Sequence, residues 1–206
     1  MTEKIIAFIG DSILNGYWDQ PFQGWGLRLV HQLGQDRPYQ IGALNAAISG
    51  HRVFDALHQL CGPVISSRPD CLIISIGTND IQRSVGSRQE IITSQDLREE
   101  IWNRLLDIAV KNIPKIFVTS VQPVDDTIMP FVYDGIPQCS FLNRDIDEYN
   151  KDIKKYCDLH KIDFIDLNSK IDRKIWLSML HDGLHPNADG HALLADLAYQ
   201  FLKDKI

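Results

Sequence analysis

Short apolar runs rich in β-branched residues recur along this chain and alternate with longer stretches of helical periodicity. The runs lie at Ile5–Ile9, Tyr39–Leu44, Cys71–Ile76, Ile116–Val121 and Asp163–Leu167. Several of them are apolar on consecutive residues, which is typical of strands that are covered on both faces. Strands that alternate with helices form a parallel sheet with helices on both sides. The pattern therefore predicts a three-layer α/β/α fold.

Between and after these runs, apolar residues recur at the spacing of a helix. The predicted helices are Gly26–Leu33, Val53–Ile65, Ser94–Val110, Phe141–His160 and Asn187–Leu202. Ser94 is a typical helix entry, and Pro186-Asn187 forms a turn into the last helix. Right-handed crossovers then fix most of the topology. Because the 206 residues contain no repeat, low-complexity segment or linker, we expect a single domain over residues 1–206.

Net charge, the N-terminal stretch and the cysteine spacing limit which ligands and which cellular location we expect. A net charge of −6 argues against a nucleic-acid-binding protein, since phosphate binding requires a basic face. The N-terminal stretch Ile5–Ile9 is too short for a signal segment or a membrane span, so we expect a cytoplasmic protein with no membrane span. The cysteines show no C-x-x-C or zinc spacing, so we expect no metal. The sequence leaves the oligomeric state open.

Four short segments carry chemically active side chains. They are Gly10-Asp11-Ser12, Asn45 to Gly50, Gly77-Thr78-Asn79-Asp80 and Asp182-Gly183-Leu184-His185. The first three follow predicted strands, and the fourth precedes the last predicted helix. In an open parallel sheet, ligands bind beyond the carboxyl ends of the strands. We therefore expect all four segments to meet at one edge of the sheet.

Ser12, His185 and Asp182 have the chemistry of an acyl-transfer triad. A serine hydroxyl becomes nucleophilic when a neighbouring base takes its proton, and histidine is the usual base near neutral pH. A carboxylate three residues before the histidine can reach its Nδ1 and fix its tautomer. Taken one at a time, the same residues are compatible with a helix cap, an exposed loop histidine and a plain turn. Their occurrence as a set predicts that the three are catalytic.

An acyl-transfer site also needs fixed donors for the oxyanion of the intermediate. The candidates are the backbone N–H groups of Ser12 and Gly50 and the side-chain amide of Asn79. Glycine at position 50 would let the backbone approach a reacting group closely. The neighbouring polar residues Asp11, Asn45 and Asp80 are interpreted as side chains that brace these loops rather than as bases.

Two long connections carry aromatic side chains. Ile13–Gly24 contains Tyr17, Trp18 and Phe22, whereas Gln122–Pro137, which we expect to be irregular, contains Phe131 and Tyr133. Long loops of this kind are uncommon unless they are functional. The rings are compatible with packing on the core, with a subunit contact and with a substrate-lining role. Trp18, Phe131 and Tyr133 are the candidate lining residues and indicate an apolar wall.

As a set, the four segments resemble the blocks of the SGNH (GDSL) hydrolase family, which are named for Ser, Gly, Asn and His. The match covers nearly the whole chain, in the order and spacing of a short bacterial-type member. The resemblance implies a five-stranded parallel flavodoxin-like sheet and ester or thioester hydrolysis through an acyl-serine intermediate. It also implies that Ser12, Gly50 and Asn79 form the oxyanion site, that Asp182 and His185 complete the triad, and that no metal or organic cofactor is needed.

Two features separate this chain from other hydrolases. The G-x-S-x-G turn of the common α/β-hydrolases is missing, because Ser12 is followed by Ile13 and Leu14. Leu14 also stands where many members of the resembled family have a hydroxyl residue. Because that family includes lysophospholipases, thioesterases, arylesterases and carbohydrate deacetylases, the resemblance leaves the acyl chain and the alcohol open.

The sequence thus predicts a serine esterase or acylhydrolase that cleaves a small-molecule acyl or acetyl ester or thioester. Two alternatives are a carbohydrate deacetylase and a non-catalytic ligand-binding module on the same fold. A third, metal-assisted hydrolysis, is raised by His181, Asp182, His185, Asp189 and His191, but their spacing fits no zinc signature and we expect His191 to face outward. A flavin site is disfavoured because the loop after the first strand lacks a run of hydroxyl residues and no G-x-G-x-x-G is present.

Overall fold

The centre of the molecule is a five-stranded parallel sheet. A computed structural model describes residues 4–19, 24–38, 40–86 and 89–206. Its strands are β1 (Lys4–Gly10), β2 (Ile41–Asn45), β3 (Cys71–Ser75), β4 (Lys115–Thr119), β5 (Phe131–Tyr133), β6 (Ile136–Cys139) and β7 (Asp163–Ile165). The sheet has the order β2-β1-β3-β4-β7, and every neighbouring pair is parallel. This order is the flavodoxin-like one, so the predicted sheet is confirmed.

Five of the helices lie where the apolar spacing predicted them, whereas the short helices Ser12–Asn15 and Arg173–Ser178 were not predicted. They are α1 (Ser12–Asn15), α2 (Trp25–Asp36), α3 (Val53–Gln59), α4 (Gln95–Asn112), α5 (Asn143–His160), α6 (Arg173–Ser178) and α7 (Ala188–Leu202). The side chains of Ser94 and Asn187 cap α4 and α7, which confirms both predicted entries. Beyond α3 the chain continues as one π-helical turn over Leu60–Val64. None of the described helices combines the length and apolar character needed to cross a membrane.

Successive side chains of each strand point to opposite faces of the sheet and pack into two separate hydrophobic cores. Ala7 and Ile9 of β1 pack with α3, α4 and α5, whereas Ile6 and Phe8 pack with α2, α6 and α7. All four side chains are fully buried. Burial of one such side chain contributes about 1.5–3 kcal/mol, except for the smaller alanine. Because both faces are covered, the strands can be apolar on consecutive residues.

The connection Gln122–Pro137 is more regular than expected. Strands β5 and β6 pair antiparallel in a hairpin whose two-residue turn is Asp134-Gly135. Both turn residues have positive φ (50° and 75°), as a type I′ turn requires. An Asp-Gly pair between apolar runs is a known hairpin signal, so the sequence contained the information that predicts it.

Two residues named in the sequence analysis lie outside the described part of the chain. They are Phe22, in the first aromatic connection, and Tyr39, at the start of the second predicted strand, which begins at Ile41 in the structure.

Candidate active site

The carboxyl end of β1 leads directly into the first predicted segment. Asp11 follows the strand, and α1 begins at Ser12. A Cβ at Gly10 would lie 2.5 Å from both the Leu14 side chain and the backbone oxygen of Ser75. Glycine at this position therefore allows α1 to pack closely against the ends of β1 and β3.

Asp11 holds α1 at its start. Its Oδ1 accepts a hydrogen bond of 3.0 Å from the backbone N–H of Ile13. Burial raises the pKa of Asp11 to about 6, although hydrogen bonds from Ile13 and from the Thr78 side chain oppose this rise. Asp11 thus braces the turn that carries Ser12, and among the described residues the hydrogen bond of the Ser12 hydroxyl is to His185.

The loop of residues 46–52, here called the Gly50 loop, lies against the same strand end. The backbone N–H of Ile48 donates to the oxygen of Gly10 at 3.1 Å, and Asn45 Oδ1 accepts the N–H of Ala47 at 3.0 Å. Gly50 has φ +83°, and a Cβ built there would meet no atom within 4 Å. The Gly50 backbone therefore adopts a left-handed conformation and borders open space.

Asn79 and Asp80 connect the end of β3 to the Gly50 loop. Asn79 Nδ2 donates to the backbone oxygen of His51 at 3.0 Å, and Asp80 Oδ2 accepts the N–H of Val53 at 3.0 Å. Burial raises the pKa of Asp80 to about 7, opposed by the Val53 hydrogen bond and by the charge of Arg98. The three strand-end segments are thus joined by hydrogen bonds at one edge of the sheet.

The fourth segment is a closed loop of residues 179–187 that leads into α7. It is closed by hydrogen bonds from His181 N to His185 O (2.8 Å) and from Asn187 N to Met179 O (2.7 Å). Asp182 Oδ1 accepts the backbone N–H groups of Leu184 (3.0 Å) and His185 (2.7 Å). This turn places the carboxylate beside the imidazole three residues later.

A continuous line of hydrogen bonds joins Ser12, His185 and Asp182. Ser12 Oγ lies 2.9 Å from His185 Nε2, and His185 Nδ1 lies 2.9 Å from Asp182 Oδ2. An ionised carboxylate only accepts, so Nδ1 carries the ring hydrogen and Nε2 is left to accept the Ser12 hydroxyl. Burial alone would raise the pKa of Asp182, but hydrogen bonds from the His185 ring and from nearby backbone N–H groups hold it well below its usual range.

Aromatic and histidine rings surround this line of hydrogen bonds. The Trp18 indole stacks on His181 with ring centroids 3.9 Å apart, and its Nε1–H donates to Asp182 Oδ2 at 3.1 Å. The Tyr17 ring lies 4.7 Å from the His185 ring. The sequence analysis named Tyr17 only as a loop aromatic and His181 only in the metal-assisted alternative, although each adjoins a predicted site residue in the chain.

A surface cleft of about 610 Å³ opens beside Asp182. It is lined by Tyr17, Trp18, residues 128–133, His181 and Asp182. The structure therefore brings Trp18, Phe131 and Tyr133, the predicted lining residues, into one cleft. A second cleft of about 550 Å³, between α5 and α6, contains none of the predicted site residues.

The expectation that His191 faces outward is wrong. His191 is fully buried because its position on α7 falls on the inward face shared with Leu194, Ala195 and Ala198. Its Nε2 donates to the backbone oxygen of Tyr17 at 3.1 Å. Within the described ranges, no three His, Cys, Asp or Glu side chains are grouped so that they could hold a metal ion.

Comparison with known proteins identifies the family to which a chain with this site belongs. The model of the GDSL-like lipase/acylhydrolase family matches residues 8–193. The chain is 31% identical over 129 residues to a multidomain esterase of Ruminococcus flavefaciens, a match that covers 60% of this chain and 14% of that protein. The chain spans less than two thirds of the length of the curated relatives that it matches.

Two solved structures share the fold over nearly their whole length. An acetylxylan esterase from Geobacillus stearothermophilus superposes with a TM-score of 0.78 at 21% identity, covering 100% of this chain and 95% of that one. The lipase/acylhydrolase from Enterococcus faecalis superposes with a TM-score of 0.76 at 21% identity, covering 98% and 96%. At these identities the likeness establishes the fold. Since the family model spans most of the chain, including all four predicted segments, the chain belongs to the GDSL-like lipase/acylhydrolase family.

Proposed function

We propose that this chain, acting as one domain, is a serine esterase that hydrolyses small acyl or acetyl esters. Ser12 is the nucleophile, His185 is the base, and Asp182 orients the base. The observation that carries the proposal is the line of two 2.9 Å hydrogen bonds from Ser12 Oγ through the His185 ring to Asp182 Oδ2. In the related Geobacillus esterase, variants at a serine, an aspartate and a histidine are described as catalytic mutants.

The first half of the reaction forms an acyl-enzyme. Ser12 Oγ attacks the carbonyl carbon of the ester, while its proton passes to His185 Nε2. The carbonyl electron pair moves onto its oxygen. When this oxyanion collapses, the bond to the alcohol oxygen breaks, and His185 returns the proton to the leaving alcohol.

The oxyanion is held by the N–H groups of Ser12 and Gly50 and by the Asn79 amide. Two observations support this assignment. Among the described residues, no backbone oxygen of a turn, loop or cap accepts the N–H of Ser12 or Gly50. Asn79 Nδ2 is fixed by its bond to His51 O, which follows Gly50 directly, so the amide is held beside the same loop. Loss of one such donor costs about 10²–10³ in rate.

The second half of the reaction releases the acid. A water molecule gives its proton to His185 Nε2 and attacks the acyl carbonyl carbon, and the tetrahedral intermediate expels Ser12 with the proton returned to Oγ. In both halves the imidazolium is transient. Asp182 stabilises it because several hydrogen bonds keep this carboxylate ionised at neutral pH.

Replacement of the nucleophile tests the proposal directly. Ser12→Ala should lower kcat/KM for p-nitrophenyl acetate by about 10⁴-fold or more, since removal of a triad serine eliminates the covalent route. Ser66→Ala is the matched control, because Ser66 is an exposed serine whose hydroxyl donates only to the nearby Gly62 oxygen. Circular dichroism of both variants shows whether the fold is retained.

The same variant distinguishes an enzyme from a binding module. A fluorophosphonate probe should label the wild-type chain and the Ser66→Ala variant and should leave Ser12→Ala unlabelled. If the folded wild-type protein takes no label, a non-catalytic ligand-binding role replaces the serine-esterase assignment. If Ser12→Ala keeps full activity, the chain is an enzyme whose nucleophile is not Ser12, and the assignment fails as well.

A second candidate function is removal of acetyl groups from a carbohydrate. It is favoured by the exposed rings beside the triad, since Trp18 and Tyr133 are 48% and 68% exposed in the cleft and such faces suit stacking on a sugar ring. The related Geobacillus structure is that of an acetylxylan esterase. A panel of p-nitrophenyl esters of increasing acyl length, run beside acetylated xylo-oligosaccharides, separates the two functions by their kcat/KM.

A further inference from the structure

The short loop of residues 16–19, here called the Trp18 loop, has an unusual backbone at its centre. Trp18 has φ +67°, which places a bulky residue in the left-handed region. That conformation is costly for any side chain with a Cβ, and it persists only when the surroundings enforce it. Strain of this kind tends to occur at functional positions, so the contacts that hold the loop are informative.

Buried polar groups anchor the Trp18 loop on both sides of Trp18. Asp19 is fully buried and accepts two hydrogen bonds from the Arg28 guanidinium, at 2.7 and 2.8 Å, and one of 3.1 Å from Gly24 N. Burial opposes ionisation of Asp19, but the Arg28 hydrogen bonds and charge lower its pKa below the usual range. The carboxylate is therefore a fixed anchor at the end of the loop.

The second anchor is His191 of α7. Its Nε2 lies 3.1 Å from the Tyr17 backbone oxygen, which can only accept, so Nε2 carries the hydrogen. His191 is fully buried, and burial lowers its pKa, which favours this neutral tautomer. Neither anchor lies in the line from Ser12 to Asp182, yet together they fix the direction in which Trp18 projects.

The Trp18 indole contacts the carboxylate that holds the base. Its Nε1–H donates to Asp182 Oδ2 at 3.1 Å, and the same oxygen faces His185 Nδ1 at 2.9 Å. The indole also stacks on His181, the residue before Asp182. The segment that follows the nucleophile thus contacts the segment that carries the base and its orienting carboxylate, although 164 residues separate Trp18 from Asp182.

We propose that Trp18 is a positioning residue of the esterase, which acts through Asp182 by fixing Oδ2 and by sharing its negative charge. This inference rests on the proposed function. A carboxylate that loses one N–H donor attracts the proton on the imidazole more strongly and is free to rotate. Loss of the indole N–H should therefore stabilise the imidazolium, and His185 should become available as a base only at higher pH.

Trp18→Phe tests this role because phenylalanine keeps a ring and removes the donor. We expect kcat for p-nitrophenyl acetate to fall about tenfold with KM changed less than about threefold, since the base is misoriented while a small ester still binds. The acid limb of the pH profile of kcat/KM should move up by about half a pH unit. Trp176→Phe is the matched control, because the Trp176 indole donates to Pro123 O and makes no described contact with the triad; its acid limb should stay in place.

The other titratable groups near His185 are unchanged in this comparison. Asp11 and His191 interact electrostatically with His185, Tyr17 contacts its ring, and His181 precedes Asp182. All four side chains are present in wild type, in Trp18→Phe and in Trp176→Phe. A shift that occurs only in Trp18→Phe is therefore a consequence of the lost indole.

A second variant keeps the test decisive if Trp18→Phe fails to fold. Benzothienylalanine incorporated at position 18 preserves the bicyclic ring and replaces the N–H by sulfur, so it should reproduce the shifted acid limb. A change in KM alone, or an unmoved acid limb in either folded variant, would assign Trp18 to the cleft wall and overturn the proposal. Ser12→Ala separates this failure from that of the proposed function, because activity without Ser12 rejects the triad itself.

Discussion

Two regions of the molecule place aspartates beside the candidate site, and they shift the pKa of the carboxyl group in opposite directions. At the ends of β1 and β3, Asp11 and Asp80 are buried, and burial raises their pKa values to about 6 and about 7. In the 179–187 loop, Asp182 accepts hydrogen bonds from two backbone N–H groups, the His185 ring and the Trp18 indole. Its pKa falls well below the usual range.

Burial and hydrogen-bond donors together explain the difference, because Asp11 and Asp80 are 2% and 0% exposed whereas the Asp182 side chain is 20% exposed. Asp80 Oδ2 accepts one N–H from Val53, and its Oδ1 has no hydrogen-bond partner among the described residues. Both oxygens of Asp182 are occupied by donors. Burial with few donors favours the neutral form, as at Asp80, whereas partial exposure with several donors favours the anion, as at Asp182. Only the second can stabilise an imidazolium across the whole range in which a histidine base works.

The strongest way to break this contrast is to remove the charge of Asp182 while keeping its shape. Asp182→Asn should lower kcat/KM for p-nitrophenyl acetate by about 10³–10⁴-fold, because an amide neither stabilises the imidazolium nor selects the correct tautomer. The measurement is steady-state kinetics at neutral pH. Asp166→Asn is the matched control, since Asp166 is an exposed aspartate that accepts the backbone N–H of Ser169. An Asp182→Asn variant with more than about a tenth of wild-type activity would contradict the assigned role.

The raised pKa of Asp80 can be tested through the pH dependence of protein stability. Its pKa is about 7 in the folded protein and has the ordinary value of 3.8 in the unfolded chain. The folded state therefore holds a proton that the unfolded chain has already released. The resulting stability is fully present below pH 3.8 and is lost as the pH rises through 7.

Asp80→Asn removes this titration. Relative to wild type, the free energy of unfolding of the variant should rise by about 2 kcal/mol between about pH 5 and about pH 8, as measured by urea denaturation. Asp166→Asn should show no such trend, and kcat/KM of Asp80→Asn should fall less than about tenfold. A difference between variant and wild type that stays constant with pH would mean that Asp80 is ionised throughout, as Asp182 is.

The sequence predicted the sheet, the main helices and the segments of the site because these depend on local patterns. Runs of β-branched residues and caps such as Ser94 and Asn187 are local, and the carboxyl ends of parallel strands meet by topology alone. The β5–β6 hairpin was also predictable, since Asp134-Gly135 carries its turn signal. It was missed because the whole connection Gln122–Pro137 was expected to be irregular and its Asp-Gly pair was not used as a turn signal.

Contacts between side chains distant in sequence were not predictable in this way. The inward direction of His191 is the exception, since this residue lies three, four and seven positions before Leu194, Ala195 and Ala198, which is the spacing of one helix face. The bond from Trp18 to Asp182 depends on the left-handed backbone of Trp18 and on the Asp19 and His191 anchors. No spacing in the sequence encodes such a combination, so it required the structure.

The smallest predicted effect uses two glycines with nearly the same backbone, one in each region. Gly50 has φ +83° and Gly183 has φ +82°, but a Cβ at Gly50 meets no atom within 4 Å, whereas one at Gly183 meets Ile128 Cδ1 at 2.3 Å. Gly50→Ala should therefore lose about 1 kcal/mol of unfolding free energy from the backbone alone. Gly183→Ala should lose somewhat more, because the exposed Ile128 side chain must also move. If urea denaturation gives the larger loss for Gly50→Ala, the surroundings of Gly50 are packed more tightly than the open space found beside it. Such packing would also block an ester carbonyl from reaching the Gly50 N–H.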